Sequence, residues 1–134
     1  MKNDHFNKMD LEERLIEFAV RSIKIAEGLP NTVAAKHLGG QLTRSGTSPA
    51  LNYAEAQAGE SRQDFVHKMK ICLKELRETM VCLKIIQKLS YFKGERFDLV
   101  LKENNELISI FVKSIETAKK NIEDQKRQSV SKTS

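Results

Sequence analysis

Apolar side chains recur along residues 61–90 with the spacing of a helix that buries one face. Alternate steps of four and three residues give an almost wholly apolar seam. Its members are Phe65, Met69, Cys72, Leu76, Thr79, Leu83 and Ile86. Ser61 stands where an N-cap is needed, and Asp64 lies in the first turn, where a negative charge favours the helix dipole. Such a helix would be roughly 40 Å long, so the pattern predicts a central helix that needs partners.

The chain carries similar patterns at its two ends. A first helix is predicted to begin after Asp10 and to end at residues 28–30, with Gly28 in a left-handed conformation. A last helix follows the turn at residues 90–94 and repeats the seam, with Asn104 as a polar member that is expected to fix register. The set is Phe97, Leu101, Asn104, Ile108, Phe111, Ile115, Ala118 and Ile122.

A further helix precedes the central one. It begins at Asn31 or Thr32 and follows one helical path to about residue 57. Pro49 removes a backbone hydrogen bond from a helix interior, so the path is expected to be kinked or briefly broken there. Four amphipathic helices with short connections predict an all-α, up-down-up-down antiparallel four-helix bundle.

The bundle is predicted to occupy residues 9–123 of the 134-residue chain. Residues 1–8 are expected to form a flexible N-terminal arm, and residues 124–134, which lack an apolar period, a disordered tail. No apolar run is long enough for a membrane span, and the polar N-terminus does not resemble a secretion signal. A cytoplasmic protein without membrane contact is therefore expected. Cys72 and Cys82 are about 15 Å apart on one helix, so both are predicted to be free buried thiols.

The segment at residues 41–79 resembles the signature of the 23S rRNA-intervening sequence proteins, also catalogued as four-helix-bundle or S23 ribosomal proteins. The matching pieces are Arg44-Ser45 with Thr47-Ser48, Asn52 with Glu55-Ala56, Ser61-Arg62 with Asp64-Phe65, and Lys74-Glu75 with Glu78-Thr79. The resemblance implies a small bacterial protein that forms a homopentamer. It also implies RNA or DNA, or a nucleic-acid enzyme such as a reverse transcriptase, as partners, because one relative is the accessory protein of diversity-generating retroelements. It assigns no enzymatic activity.

The positive charge of the chain is concentrated in the central helix. Residues 62–93 hold eight Lys/Arg against three Asp/Glu, and this excess of five equals the net charge of the whole chain. The helix positions that face away from the seam form a surface that we call the basic stripe. It consists of His67, Lys70, Lys74, Arg77, Lys84 and Lys88.

The basic stripe has two interpretations. A row of cations about 30 Å long could follow a phosphate backbone. Alternatively, it is a solvated surface on which Glu75 and Glu78 pair with Lys74 and Arg77. No aromatic residue interleaves with the cations, so stacking on single-stranded bases is not indicated along it.

A second group of polar residues lies in the segment that carries the family resemblance. This polar motif consists of Arg44, Asn52, Glu55, Arg62, Glu75 and Glu78, with Ser and Thr residues between them. It holds no cysteine, histidine or metal-ligand spacing that would suggest an active site. We expect a structural role, with Ser and Thr as local backbone partners and Arg44 and Glu55 pairing with Glu75, Glu78 or Arg62.

No cofactor or metal site is predicted. The three histidines, His5, His37 and His67, lie on separate segments, and neither His37 nor His67 has the Glu three residues before it that a di-metal bundle requires. Since no nucleophile–base pair is assembled either, an enzyme is disfavoured.

Apolar residues outside the seam of the central helix bear on assembly. Ile71, Cys82 and Ile85 lie on one flank, and Val66, Leu73 and Met80 lie on the other. Two apolar flanks exceed what one bundle normally buries, so the first flank is predicted to form an oligomer interface, unless the core is unusually wide. Two hypotheses remain open. One is a non-enzymatic oligomeric adaptor that contacts nucleic acid, and the other is a protein-interaction scaffold that does not.

Overall fold

The computed structural model describes the backbone of residues 9–133 and the side chains of residues 9–131. Within that range the chain forms four α-helices and no strand. They are α1 (Leu11–Glu27), α2 (Val33–Gln57), α3 (Arg62–Lys88) and α4 (Arg96–Thr133). The prediction of an all-α four-helix bundle is confirmed. The predicted arm at residues 1–8 lies outside the described residues.

The first three helices begin at the residues that the sequence indicates. Asp10, Thr32 and Ser61 are in extended conformation, and the side chain of each accepts a hydrogen bond from the backbone amide three residues later. This contact satisfies an amide that the first helical turn leaves without a partner. Helix α1 ends at Glu27, as predicted, but the predicted left-handed conformation of Gly28 is wrong. Gly28 has φ −88°, a right-handed conformation, and its amide donates to carbonyls of the last turn.

Consecutive helices pack against each other along their lengths, whereas α1 and α4 approach closely at fewer positions. The seam of α3 supplies the centre of the core, where Met69, Cys72, Leu76, Leu83 and Ile86 are at most 1% exposed. The other helices add large apolar side chains from their inward faces. These are Leu15 and Phe18 of α1, Leu42 of α2, and Leu107 and Phe111 of α4.

Helix α2 passes through Pro49 without a break. The prediction of one helical path is therefore confirmed, and the alternative of a brief break at Pro49 is wrong. The ring of Pro49 is fully buried, and its carbonyl accepts a hydrogen bond from Cys72 Sγ at 3.5 Å. Burial of the ring in the core offsets part of the backbone hydrogen bond that proline cannot make.

The inward face of α4 is rotated relative to the predicted seam. Val100 and Leu107 are buried to 5% and 0% exposure, whereas the predicted Leu101 and Ile108 are only partly buried. Both sets fit a helical period, because steps of three then four and of four then three share residues 97, 104 and 111. Packing against α3 and α1 selects the face that contains Val100 and Leu107.

Helix α4 continues to Thr133, whereas the sequence pattern predicts a disordered tail from residue 124. Side chains from 123 to 131 are exposed, in agreement with the missing apolar period. The backbone amides and carbonyls of this segment bond to one another within the helix, so the segment needs no buried face to satisfy them. In the described residues no helix is long and apolar enough to cross a membrane.

Candidate nucleic-acid interface

The basic stripe lies on the outer surface of α3. All of its six side chains, His67, Lys70, Lys74, Arg77, Lys84 and Lys88, are exposed. They lie opposite the buried seam because the sequence alternates core and outward positions with the period of a helix. The predicted position of the stripe on the surface is thus confirmed.

Two carboxylates of α3 that flank the stripe are held by a residue of α2. Arg44 Nη1 donates to Glu75 Oε2 at 2.9 Å, and Arg44 Nη2 donates to Glu78 Oε2 at 2.8 Å. The hydrogen bond from Arg44 is the main reason why the pKa of Glu78 lies below its usual value. The same contacts, led by the bond to Glu78, raise the pKa of Arg44. The guanidinium of Arg44 therefore joins α2 to α3 by binding two carboxylates, which its planar arrangement of N–H donors permits.

This arrangement gives both flanking acids a direct partner on α2, while the charge of Lys74 makes a smaller contribution to the lowered pKa of Glu78. Lys74 and Arg77 were the alternative partners for Glu75 and Glu78, but Arg44 takes both carboxylates. Among residues 9–131, the ion pairs of the structure involve Arg14, Arg21, Arg44 and Lys68, and no cation of the stripe. The stripe cations consequently keep their charge available for an anionic partner.

The rest of the polar motif makes local contacts, and the predicted partner of Glu55 is wrong. Asn52 Nδ2 donates to the carbonyl of Ser48 at 3.0 Å and to its Oγ at 2.8 Å, all within α2. Glu55 pairs with Lys68 of α3 at 2.5 Å, and not with Arg62, which is exposed at the start of α3. These contacts join neighbouring turns or neighbouring helices, and they assemble no nucleophile with a base.

The predicted interface residues fall into two groups. Ile85 is 44% exposed and Ile71 is partly buried, so both present apolar surface at the outside of the bundle. The assignment of Cys82 to the interface is wrong, because its side chain is only 7% exposed and its Sγ donates to the carbonyl of Leu38 at 3.6 Å. Its side chain fills the space between α2 and α3, where the wide-core interpretation applies.

The cysteines are free and buried, as predicted. Burial raises the pKa of the Cys72 thiol to about 12, and burial also raises the pKa of Cys82. A thiol in this state is a poor nucleophile and a poor metal ligand. The described residues contain no group of His, Cys, Asp and Glu that could hold a metal ion. His37 and His67 are exposed on different helices, and His5 lies outside the described residues.

Sequence reasoning missed a cleft of about 650 Å³ between α1 and the beginning of α4. We call it the cationic cleft. Its lining residues are Glu17, Arg21, Lys24, Ile25, Phe92, Lys93, Arg96, Phe97, Leu99 and Val100. The sequence feature that could have indicated this cleft is a segment of six residues, 92–97, which contains two Phe and two cations. The cations of α1 that complete the cleft are about 70 residues away, so only the fold brings the two groups together.

Two comparisons with known proteins agree on the ancestry of this bundle. The model of the 23S rRNA-intervening sequence protein family matches residues 7–113. The chain belongs to this family. A crystal structure of a protein of unknown function from the S23 ribosomal protein family, from Bacteroides thetaiotaomicron, is 30% identical to this 23S rRNA-intervening sequence protein, with a TM-score of 0.73. The match covers 79% of this chain and 98% of that one. No curated protein matches the chain.

The match to the family model ends before the exposed last turns of α4, and it includes the polar motif and the whole basic stripe. The family resemblance carried by residues 41–79 is thus confirmed. The solved relative supports the same four-helix architecture and carries no stated function.

Proposed function

We propose that this protein is a non-enzymatic, oligomeric adaptor whose basic stripe contacts the phosphate backbone of a nucleic acid. The observation that carries the proposal is the unpaired state of the stripe. Its cations are exposed and lie outside every ion pair described above, while Arg44 engages the two flanking carboxylates. The names of the family and of its solved relative, which refer to 23S rRNA and to S23 ribosomal proteins, favour RNA as the nucleic acid.

Backbone contacts of this kind give affinity that depends on salt and little on base sequence. Several copies of the stripe in a homopentamer would combine weak single contacts through multivalency. Such a surface could present RNA or DNA to a nucleic-acid enzyme such as a reverse transcriptase. No bond is made or broken in this role, in keeping with the structural role of the polar motif.

The test is a titration of RNA and duplex DNA at several salt concentrations, with wild type and a variant that combines Lys70→Gln, Lys74→Gln and Arg77→Gln. All three side chains point away from the core, so fold and oligomer should persist. The slope of log affinity against log salt should flatten by roughly two to three for each engaged subunit. A control with Lys113→Gln, Lys119→Gln and Lys120→Gln removes the same charge from exposed positions of α4 and should change the slope less.

The contrary result would be no binding by wild type at about 50 mM salt, or an unchanged slope in the stripe variant. Either would favour the second hypothesis, a protein-interaction scaffold whose stripe meets an acidic protein or only solvent.

The oligomeric part of the proposal rests on Ile71 and Ile85. Ile85 exposes apolar surface, and Ile71 beside it is only partly buried. The double variant Ile71→Glu and Ile85→Glu should lower the mass measured by light scattering while the helices remain. A wild type that is monomeric at micromolar concentration would exclude this interface.

A further inference from the structure

The cationic cleft lies at the end of the bundle where α1 ends and α4 begins. Its volume of about 650 Å³ lies within the usual size of small-ligand sites. It lies apart from the outward face of α3 that carries the basic stripe, and none of the six stripe residues lines it. Its inner surface and its rim differ in chemistry, and each of the two restricts the class of ligand.

The inner surface of the cleft is apolar and aromatic. Phe92 and Phe97 stack with ring centroids 5.9 Å apart and an interplanar angle of 21°. Phe97 is buried, Phe92 is only partly buried, and Ile25 and Val100 lie beside them. A half-exposed ring that is supported from behind by a second ring is a surface on which a flat aromatic group can stack.

The rim of the cleft is cationic. Lys24, Lys93 and Arg96 are exposed, and none of them takes part in an ion pair within residues 9–131. The carboxylate that lines the cleft, Glu17, is paired with Arg21 Nε at 3.5 Å. Three cations around an apolar surface suit a ligand with a negative charge close to a flat ring.

A nucleotide with an unpaired base has both of these features. We propose that the cationic cleft binds an unpaired nucleotide of a single strand, with the base on Phe92 and the phosphate at Lys24, Lys93 and Arg96. A base inside a duplex is stacked on both faces and cannot reach Phe92. The cleft therefore selects single strands or strand ends, which the basic stripe does not.

The last residue of the stripe is close in the chain to the cleft, and on this point the inference rests on the proposed function. Lys88 is the last residue of α3, and Lys93 lies in the connection to α4. Gln87 Nε2 donates to Asp98 Oδ1 at 3.0 Å, which holds the end of α3 against the first turn of α4. A strand that follows the stripe toward Lys88 is thus delivered to the cleft.

The first experiment uses the Phe92→Trp variant, because the chain contains no tryptophan and the indole would report on this position alone. Titration with a six-nucleotide oligoadenylate should quench the emission as a base stacks on the ring. Complex formation is followed in parallel by the anisotropy of a fluorescein label on the same oligonucleotide. Binding by anisotropy without any change of indole emission would overturn the proposal.

The second experiment removes each half of the site in the wild-type background. Phe92→Leu keeps the apolar volume and removes the ring, and it should weaken oligoadenylate binding about fivefold or more, with little effect on duplex RNA. Lys93→Gln with Arg96→Gln should weaken binding more than the control pair Lys119→Gln with Lys120→Gln, which removes the same charge elsewhere on α4. Melting curves verify that each variant is folded.

Failure of the cleft and failure of the stripe give different results. If the stripe variant loses duplex binding and Phe92→Leu leaves oligoadenylate binding unchanged, the stripe acts and the cleft assignment is wrong. If Phe92→Leu weakens oligoadenylate binding and the stripe variant changes nothing, the cleft binds single strands without the stripe. If an acidic peptide containing Phe quenches the Phe92→Trp variant and oligoadenylate does not, the site belongs to a protein partner and the proposal fails.

Discussion

The α2–α3 side and the α1–α4 side of the bundle are built differently. Between α2 and α3, polar contacts follow one another along the helix pair. They are the hydrogen bonds from Cys72 and Cys82 to backbone carbonyls and the ion pairs of Arg44 and Lys68. Between α1 and α4, Arg14 pairs with Glu103 and Glu106 at one end, and the helices separate into the cationic cleft at the other. The closed side supports the fold, and the open side provides a concave surface with the exposed cations Lys24, Lys93 and Arg96 at its rim.

The difference shows how a helical bundle can carry a site where two helices and the short connection that leads into one of them come together. Two helices that diverge leave apolar side chains of the core, here Phe97 and Val100, at the bottom of a cleft. Outward positions of the same helices, together with Lys93 of the connection, then form its rim. Matched substitutions test this difference between the closed side and the open side of the bundle.

The largest effect is expected for Leu→Asp substitutions. Leu76, on α3 in the centre of the core, is 0% exposed, whereas Leu99, on α4 beside the cleft, is 57% exposed. Leu76→Asp buries a carboxylate without a partner and should lower the free energy of unfolding by more than ~4 kcal/mol, enough to unfold the chain. Leu99→Asp should change it by less than about 0.5 kcal/mol.

Urea unfolding followed by circular dichroism measures the effect of Leu99→Asp, and loss of the helical signal in buffer without urea reports unfolding of Leu76→Asp. Equal effects would mean that the open side is as closely packed as the closed one. A folded Leu76→Asp variant with the melting temperature of wild type would show that the inward face of α3 has been misassigned.

A smaller effect is expected for glycine substitutions that test how α1 is attached to α2. A Cβ at Gly46 would overlap Ser22 Oγ of α1, whereas a Cβ at Gly40 of the same helix would meet nothing within 4 Å. Gly46→Ala should destabilise by about 1–3 kcal/mol, because buried Ser22, which donates to the carbonyl of Phe18, must move.

Gly40→Ala is the control and should stabilise by up to about 1 kcal/mol, because alanine has the higher helix propensity. Thermal melts of the two variants should therefore move in opposite directions. If both are stabilised, α1 adjusts its position on α2, and the close contact at Gly46 does not hold α1 in place.

The smallest effect is expected for the arginines that bridge each side. Arg44→Gln on the closed side and Arg14→Gln on the open side each remove a guanidinium that binds two carboxylates. Each should lower the melting temperature at neutral pH by roughly 2–5 °C, as expected for a partly exposed ion pair.

The Arg44 contact also predicts a pH dependence. The pKa of Glu78 is lower in the folded chain than its usual value because Arg44 donates a hydrogen bond to it. The stabilisation from Glu78 is therefore complete above the unfolded pKa of about 4.3 and is lost as the pH falls through the folded value. The difference in melting temperature between wild type and Arg44→Gln should shrink over that acidic range. A difference that grows as the pH falls would contradict this account of the contact.

The sequence predicts the closed side well because one repeating pattern encodes it. The seam of α3 identifies the buried residues from Met69 to Ile86, and short polar side chains identify three helix starts. Glu75 and Glu78 were among the predicted partners of Arg44, and the structure shows that it binds both. The helical period and the contact between consecutive helices both depend on residues that are close together in the sequence.

The open side could not be predicted because it depends on the angle between helices that are distant in sequence. Lys24 and Arg96 are ordinary surface cations in their own helices, and only the fold places them around one cleft. The choice of Val100 over Leu101 likewise depends on a rotation of α4 by a fraction of a turn. Cys82 is buried because the contact between α2 and α3 is wide, and the apolar pattern of α3 alone does not specify that width.

The order in which the helices pack has a consequence for how the chain folds. Each helix makes its main contacts with the next helix in sequence, and the contact between the two ends of the chain, α1 with α4, is sparser than any contact between consecutive helices. Chains dominated by such local contacts have low contact order and fold on microsecond to millisecond timescales. A nascent chain could add each helix to the previous one as it emerges, and the last association to form would be the one that creates the cleft.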